Sequence, residues 1–353
     1  MTAANLDPAR SEEKPIDYSA IEKSLAELWR SEQDGENAVT RAALWNVIAH
    51  TTNAQDHSTA SQTLARASEA VPQRAIVIRA EIRGESEISS WISANCHRVG
   101  GEKQVCSEEV AIVAGGEKVR YVPPLVNALL IPDMPVAMWW LGDLPNTDRA
   151  HAYVETMLSS CDRLIVDSSQ FDRVEDLMWL DEIARRTYTA PADLNWVKLE
   201  EWRLVTAKLF DPPEMRERMR AIRTLSVTAM GGAQSLFGDS IESLYYAAWL
   251  TEQTGVETID CSFCVLEGND RGMLTQVKIG FDDGGEATVA RDAERNVLVA
   301  TVDGVTKVCD CVTRILGRRS ADLIVRHLKH PEADRVFARA LPIAIGLASQ
   351  VTR

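Results

Sequence analysis

Cysteine, histidine, serine and paired carboxylates are the side chains able to do chemistry here, and the seven cysteines come first. Two pairs lie late in the chain, Cys261-x-x-Cys264 and Cys309-x-Cys311, and four thiolates make a complete zinc ligand set. The first pair sits inside the strand-like run IDCSFCVL, where alternation sends residues three apart to opposite faces, and no turn is signalled between them. Structural zinc, a redox couple and plain buried thiols all remain open, with plain buried thiols the leading reading. Cys309 and Cys311 can share one strand face, which is a poor placement for an unstrained disulfide. Cys96 and Cys106 lie on the arms of an expected hairpin that, centred on Gly101, sets them directly opposite one another. The candidate redox cysteines are therefore Cys96, Cys106, Cys261 and Cys264.

The other motifs are weaker. Gly231-Gly232 falls between a strand signal and a helix signal, where a phosphate loop would sit. The next glycine, Gly238, is followed by Asp239 where such a loop carries lysine, so a tight turn is the better reading. No GxSxG elbow and no HExxH motif occurs. His97 and Cys96 are neighbours on a strand and diverge, as do Glu108 and Glu109, which read as one solvated and one paired carboxylate. No acid and base constellation emerges, which weighs against an enzyme. Nine tryptophans are many for this length; most belong in a core, and exposed ones would suit a protein interface.

These residues need a scaffold, and its densest signals lie in Val122 to Ser169. Val136 to Leu141 is an uninterrupted apolar run fenced by Pro132, Asp133 and Pro135 before it and by Gly142, Asp143 and Pro145 after it, the mark of a strand buried on both faces. One helix later, Leu164 to Val166 repeats the pattern and ends in Asp167, Ser168 and Ser169. Strand, crossover helix and strand imply a parallel sheet, whose ligands and partners meet the carboxyl ends of its strands. Trp139, Trp140, Asp143, Asp167, Ser168 and Ser169 are thus the candidate partner or ligand surface.

Arg41 to His50 and Arg74 to Arg79 add two strands to this sheet, separated by an alanine-rich helix over Ser58 to Ala70. The expected hairpin, Ile88 to Cys96 and Cys106 to Ile112, is inserted between them and the later pair. Helices follow over Phe171 to Arg186 and Lys198 to Phe210, and Asp211-Pro212-Pro213 marks a domain boundary. Beyond it come a strand near Arg223 to Ala229 and a helix over Ser240 to Thr254. Four strand-like segments, Thr258–Leu266, Leu274–Phe281, Glu286–Arg291 and Val297–Val302, then read as a meander, and helices over Ser320 to Lys329 and Asp334 to Leu347 pack on that sheet. The expected organisation is a disordered 1–15, an α/β domain over 16–211 with a mostly parallel sheet and a hairpin insertion, and a smaller α+β domain over 212–353.

The 353 residues fit two domains at about 150 residues each. A formal charge of −14 repels nucleic acid and anionic membrane surfaces. No apolar run reaches the roughly 18 residues a span needs, and the N-terminus has no signal-peptide core, so the expected location is cytoplasmic.

Seven segments, RAALWNVIAH, PQRAIVIRA, ISANCHRVGGEKQVCSEEV, PPLVNALLIPDMPVAMWWLGDLP, CDRLIVDSS, DLNWVKLEEWR and KLFDPP, occur in an order that resembles the glucose-6-phosphate dehydrogenase assembly protein family, OpcA. The resemblance covers about Arg41 to Pro213 and continues more weakly through SLYYAAWL and the meander. It implies a non-catalytic partner of glucose-6-phosphate dehydrogenase, an allosteric activator that promotes the active oligomer and supports NADPH production in the pentose phosphate pathway, with no cofactor of its own. Some photosynthetic members are redox-controlled through cysteines, a role not carried over to this chain; Cys96 and Cys106 fall in the general family motif, which implies a structural role for them. The rival readings are a sugar-phosphate enzyme or sensor using strand ends near Asn53, Asp143 and Asp167-Ser168-Ser169, and a zinc-dependent interaction module.

Overall fold

The computed structural model describes residues 9–10, 14–15, 21, 23, 25, 39–99, 103–142, 144–145, 147–171, 173, 176–231, 241–256, 259–267, 272–303 and 312–351. These fall into two compact units. The first comprises Met1–Val166, Ile183–Ala190 and Arg319–Ala333, and the second Asp167–Glu182, Pro191–Arg318 and Asp334–Arg353. The expected boundary at Asp211-Pro212-Pro213 lies within the continuous span Pro191–Arg318 of the second unit.

The first unit is built on strands β1 (Trp45–Thr51), β2 (Gln73–Glu81), β3 (Ile88–Val99), β4 (Lys103–Gly115), β5 (Val136–Trp140) and β6 (Arg163–Val166). Their order in the sheet is β3-β4-β2-β1-β5-β6. The pairs β4–β2, β2–β1, β1–β5 and β5–β6 are parallel, while β3 and β4 form an antiparallel hairpin. The hairpin's return arm therefore joins the parallel sheet as a full member. Every residue of β1, β5 and β6 is buried, and β5 is apolar throughout, as a strand covered on both faces should be. Ala9–Arg10 and Lys14–Pro15 pair with β3, in a segment whose composition predicts disorder.

Helix α1 (Ala54–Ser68) buries His57, Ala60, Leu64 and Ala67, one stripe at helical spacing. Helix α2 (Val122–Leu129) carries Pro123 in its first turn, where a missing N–H is harmless, and α3 (Asp148–Leu158) is capped by Thr147. Helix α4 (Asp176–Thr187) and the short strand β7 (Ala190–Asp193) follow.

Of Glu108 and Glu109, neither is solvated, contrary to the sequence expectation. They diverge as adjacent strand residues must, Glu108 to the Arg74 guanidinium (2.5 Å) and Glu109 to the Ser61 hydroxyl (2.7 Å).

The second unit also contains the one-turn helix α5 (Leu194–Val197) and α6 (Glu200–Leu209). Its sheet contains β8 (Ile222–Gly231), β9 (Asp260–Glu267), β10 (Leu274–Phe281), β11 (Glu286–Asp292), β12 (Val297–Val302) and β13 (Val312–Arg314), in the order β9-β8-β10-β11-β12-β13. Helix α7 (Ile241–Thr254) connects β8 to β9. The expected four-strand meander needs correcting: β9 pairs parallel to β8, while β10 pairs antiparallel on β8's other side and the meander proper runs from there. A helix-length connection is what a parallel pair requires. Ile241 to Leu250 of α7 are buried all round, and β12 alternates half-buried with buried residues, as a one-faced sheet should.

The last two helices part company. Helix α8 (Ser320–Lys329) belongs to the first unit, not to the meander where the sequence places it. Buried Arg163 at the start of β6 donates to the carbonyls of His327 (2.7 Å), His330 (2.9 Å), Pro331 (3.1 Å) and Glu332 (2.6 Å), and the Trp45 indole donates to that of Leu328 (2.9 Å). The carbonyls of His327 and Leu328 are orphans of the last turn of α8, where a cation is favoured, and the other three belong to the segment that follows it. Helix α9 (Arg335–Val351) lies with α7 in the second unit, tied by Arg339 to Glu252 (2.5 Å).

Candidate functional site

In the first unit the strand order reverses between β1 and β5, the position where open α/β sheets hold ligands beyond their carboxyl ends. Thr52-Asn53 forms the turn after β1. Asn53 caps α1 by accepting from the Asp56 N–H (2.9 Å), and its amide donates back to the Asp56 carboxylate (2.7 Å). The helix dipole is thus met by the chain's own anion. After β5, Gly142 adopts φ +98°, and a Cβ there would stand 2.9 Å from the Thr52 hydroxyl. The two strand ends therefore approach closely.

Beneath this turn, His50 stacks on Trp140 with ring centroids 4.0 Å apart and 3° between planes, and Tyr153 of α3 leans on the same imidazole at 5.5 Å. Burial pushes His50 down to about 3, so the ring is neutral, and it pushes the Tyr153 phenol up. Trp139 and Trp140 are 3% and 7% exposed. They offer no surface to a partner, because every residue of β5 is buried. Asp143 lies outside the described residues.

Asp167, Ser168 and Ser169 fall in the second unit, where they form a short 3-10 turn. Asp167 accepts from the Ser169 N–H (3.1 Å) and hydroxyl (2.5 Å), and Lys198 approaches it at 3.5 Å. The Ser168 N–H donates to Asp193 (3.1 Å), the Asn195 N–H to the same oxygen (2.8 Å), and the Tyr245 hydroxyl to the other oxygen (2.6 Å). Asp193 is fully buried, and burial lifts its carboxyl to about 6 despite these donors. Tyr245 is pushed up by burial and then by the Asp193 charge. Glu242, bonded to Arg318, is also raised by burial, with Arg318 and Lys198 opposing the rise.

A carboxylate, a phenol, an ammonium and a second carboxylate in one cluster resemble acid and base machinery in type. The Asp193–Tyr245 pair is sealed from solvent, however, and each of its bonds fixes a helix or turn. Asp193, Tyr245, Lys198 and Glu242 were not singled out from the sequence. The available signal was Asp193 standing before an apolar helical turn, an N-cap pattern. Next to the cluster, Trp196 donates to Asp334 (2.8 Å), lies under the Arg203 guanidinium (3.8 Å), and meets Phe337 at 5.1 Å.

The cysteines are now placed. Cys96 and Cys106 are opposite one another in the β3–β4 register and are joined as a disulfide, with Cα atoms 4.0 Å apart. Cys264 is exposed, whereas Cys261 is half-buried, with its thiol raised by burial to about 11. Cys309 and Cys311 lie outside the described residues. Among the described residues, no group of three or more His, Cys, Asp or Glu could hold a metal ion. No helix among them is long and apolar enough to cross a membrane.

Two family models match in sequence order, the glucose-6-phosphate dehydrogenase subunit N-terminal domain over residues 64–182 and the corresponding C-terminal domain over 189–341. The chain belongs to the OpcA family of glucose-6-phosphate dehydrogenase subunits. OpcA relatives described as OxPP cycle proteins occur in Synechococcus elongatus, 28% identical over 53% of this chain, and in Synechocystis, 26% identical over 52% of it. The matches span 41% and 37% of those relatives' lengths, so the chain covers about two fifths of each. Among solved structures, UDP-N-acetylglucosamine 3-dehydrogenase GnnA from Acidithiobacillus ferrooxidans is similar at 13% identity and a TM-score of 0.44, covering 87% of this OpcA chain and 96% of that one. At that level the likeness assigns neither activity nor ligand.

Proposed function

We propose that this chain is a non-catalytic partner of glucose-6-phosphate dehydrogenase that binds one conformation or oligomer of the enzyme more tightly than the others and so raises its activity. The observation that carries the reading is the pair of family domains, both described as parts of a dehydrogenase subunit, in order along the chain. The geometry supports it at two points. At the strand-order reversal Asn53 and Asp56 bond each other and Gly142 packs close to Thr52, and the Asp193–Tyr245 cluster among the described residues of the second unit is engaged in holding turns and helices. A partner shifts an equilibrium only by differential affinity, so activation implies tighter binding to the active form.

The test is the activity of glucose-6-phosphate dehydrogenase from the same organism across substrate concentrations, with and without this chain, while complex size is followed by light scattering. Stimulation accompanied by a larger complex supports the proposal. Unchanged kinetics and no complex overturn it.

A further inference from the structure

Four non-glycine residues among the described residues have positive φ: Asp133 (61°), Tyr188 (57°), Asn296 (52°) and Asp303 (49°). Asp and Asn visit this left-handed region readily because their short polar side chains bond locally. An aromatic residue does not. Tyr188 immediately follows helix α4, a position where glycine is the usual occupant.

The side chain gives the free chain nothing in return. It is 96% exposed, more than any other exposed large apolar side chain of the described residues, and it makes no hydrogen bond, ring contact or cation contact with them. Its backbone is nonetheless held on both sides. The Thr187 hydroxyl donates to that of Thr189 (3.0 Å), which donates to the Cys161 carbonyl (3.4 Å), and the Ala190 N–H donates to the Asp162 carbonyl (3.0 Å). A bulky ring is thus presented to solvent from a strained but fixed position, the form of preorganisation that favours binding. Arg185 and Arg186 are exposed just before it and both are engaged within the chain, Arg186 with Glu155, while the net charge of the chain is −14.

We infer that Tyr188, with Arg185 and Arg186 beside it, is an anchor for the dehydrogenase, inserting its ring into an apolar pocket rimmed by carboxylates. This rests on the function proposed above. Tyrosine and arginine are the residue types that dominate interface energetics. A second copy of this chain fits less well, because a two-fold contact centred on Tyr188 would set the arginine pair against its own image.

The test is binding of purified dehydrogenase to the wild-type chain and to Y188G by biolayer interferometry, with thermal melts and sedimentation of each free chain. Glycine relieves the left-handed backbone, so Y188G is expected to melt no lower than wild type while binding at least tenfold more weakly. Equal binding by both chains overturns the inference and leaves the proposed function standing. No binding by wild type overturns both. Weaker binding with a lowered melting temperature makes Tyr188 structural, and loss of self-association in Y188G assigns it to a second copy; either result overturns the inference.

Discussion

Substituting Asp193 with asparagine should reverse sign across the pH range. The carboxyl is fully buried and lies at about 6, against an ordinary 3.8, because burial disfavours its charged form more than the donors from Ser168, Asn195 and Tyr245 favour it. A carboxyl raised by folding contributes stability that is fully present below about 3.8 and is lost as pH rises through about 6. The interval of about 2.2, at 1.36 kcal/mol per unit, corresponds to about 3 kcal/mol.

In Asp193→Asn that titration is gone. The amide oxygen still accepts from Ser168 and Asn195, and the Tyr245 hydroxyl can turn to accept from the amide nitrogen. Denaturant unfolding of both chains from pH 4.5 to 8 isolates the effect, since every other titrating group is common to the pair. The stability difference, wild type minus variant, should fall by about 2 kcal/mol between those limits, the first part of the loss lying below pH 4.5, making the variant relatively better off at pH 8. Parallel curves would refute the reasoning, because they would mean that Asp193 ionises in the fold as easily as in the unfolded chain.

Other residues make comparably sharp predictions. Arg163→Met removes the guanidinium bonds to the carbonyls of His327, at the end of α8, and of His330, Pro331 and Glu332 just after it, and hydrogen exchange over 320–329 should accelerate with a global loss of about 3 kcal/mol or more. Arg74→Met strands the buried Glu108 charge and should cost about 3–5 kcal/mol in urea unfolding, while Arg74→Met with Glu108→Met should recover most of it. Gly142→Ala meets both the Thr52 hydroxyl and an unfavourable φ of +98°, so it should lose about 1–3 kcal/mol, and adding Thr52→Ala should restore only the part due to the clash.

The sequence was most legible where fold signals were local. The fences around Val136–Leu141 and the short run before Asp167 mark β5 and β6 because each is buried on both faces. The hairpin's symmetry about Gly101 was enough to set Cys96 opposite Cys106. What escaped depends on distant partners. The burial of Glu108 follows from Arg74, 34 positions away, and the place of α8 follows from Arg163, 164 positions from His327. The parallel pairing of β9 is set by its connection through α7, whereas its composition fits a meander equally well. The candidate surface divided for the same reason: apolar character made Trp139 and Trp140 conspicuous, and that same character buries them. Tyr188 passed unnoticed because its oddity is a backbone angle, which composition does not encode.

The strand order by itself invites a nucleotide reading, and the residues at its reversal argue against one. In such sheets a glycine-rich first turn lets a pyrophosphate settle on the N-terminus of the following helix. Here that turn is Thr52-Asn53, with no glycine, and the Asp56 carboxylate is held at the helix start by Asn53 at 2.7 Å. An incoming phosphate would face that carboxylate at close range, an opposition of about 1 kcal/mol in bulk water and several times more where water is excluded. Titration calorimetry with NADP+ or glucose 6-phosphate against the isolated chain should therefore show no saturable heat at submillimolar ligand. Saturable binding of either would mean that the Asn53–Asp56 cap opens, and the chain would then have to be treated as a ligand sensor. A cap that stays closed keeps phosphate off the start of α1 and directs the search for a binding surface elsewhere, which is where an exposed, strained tyrosine becomes informative.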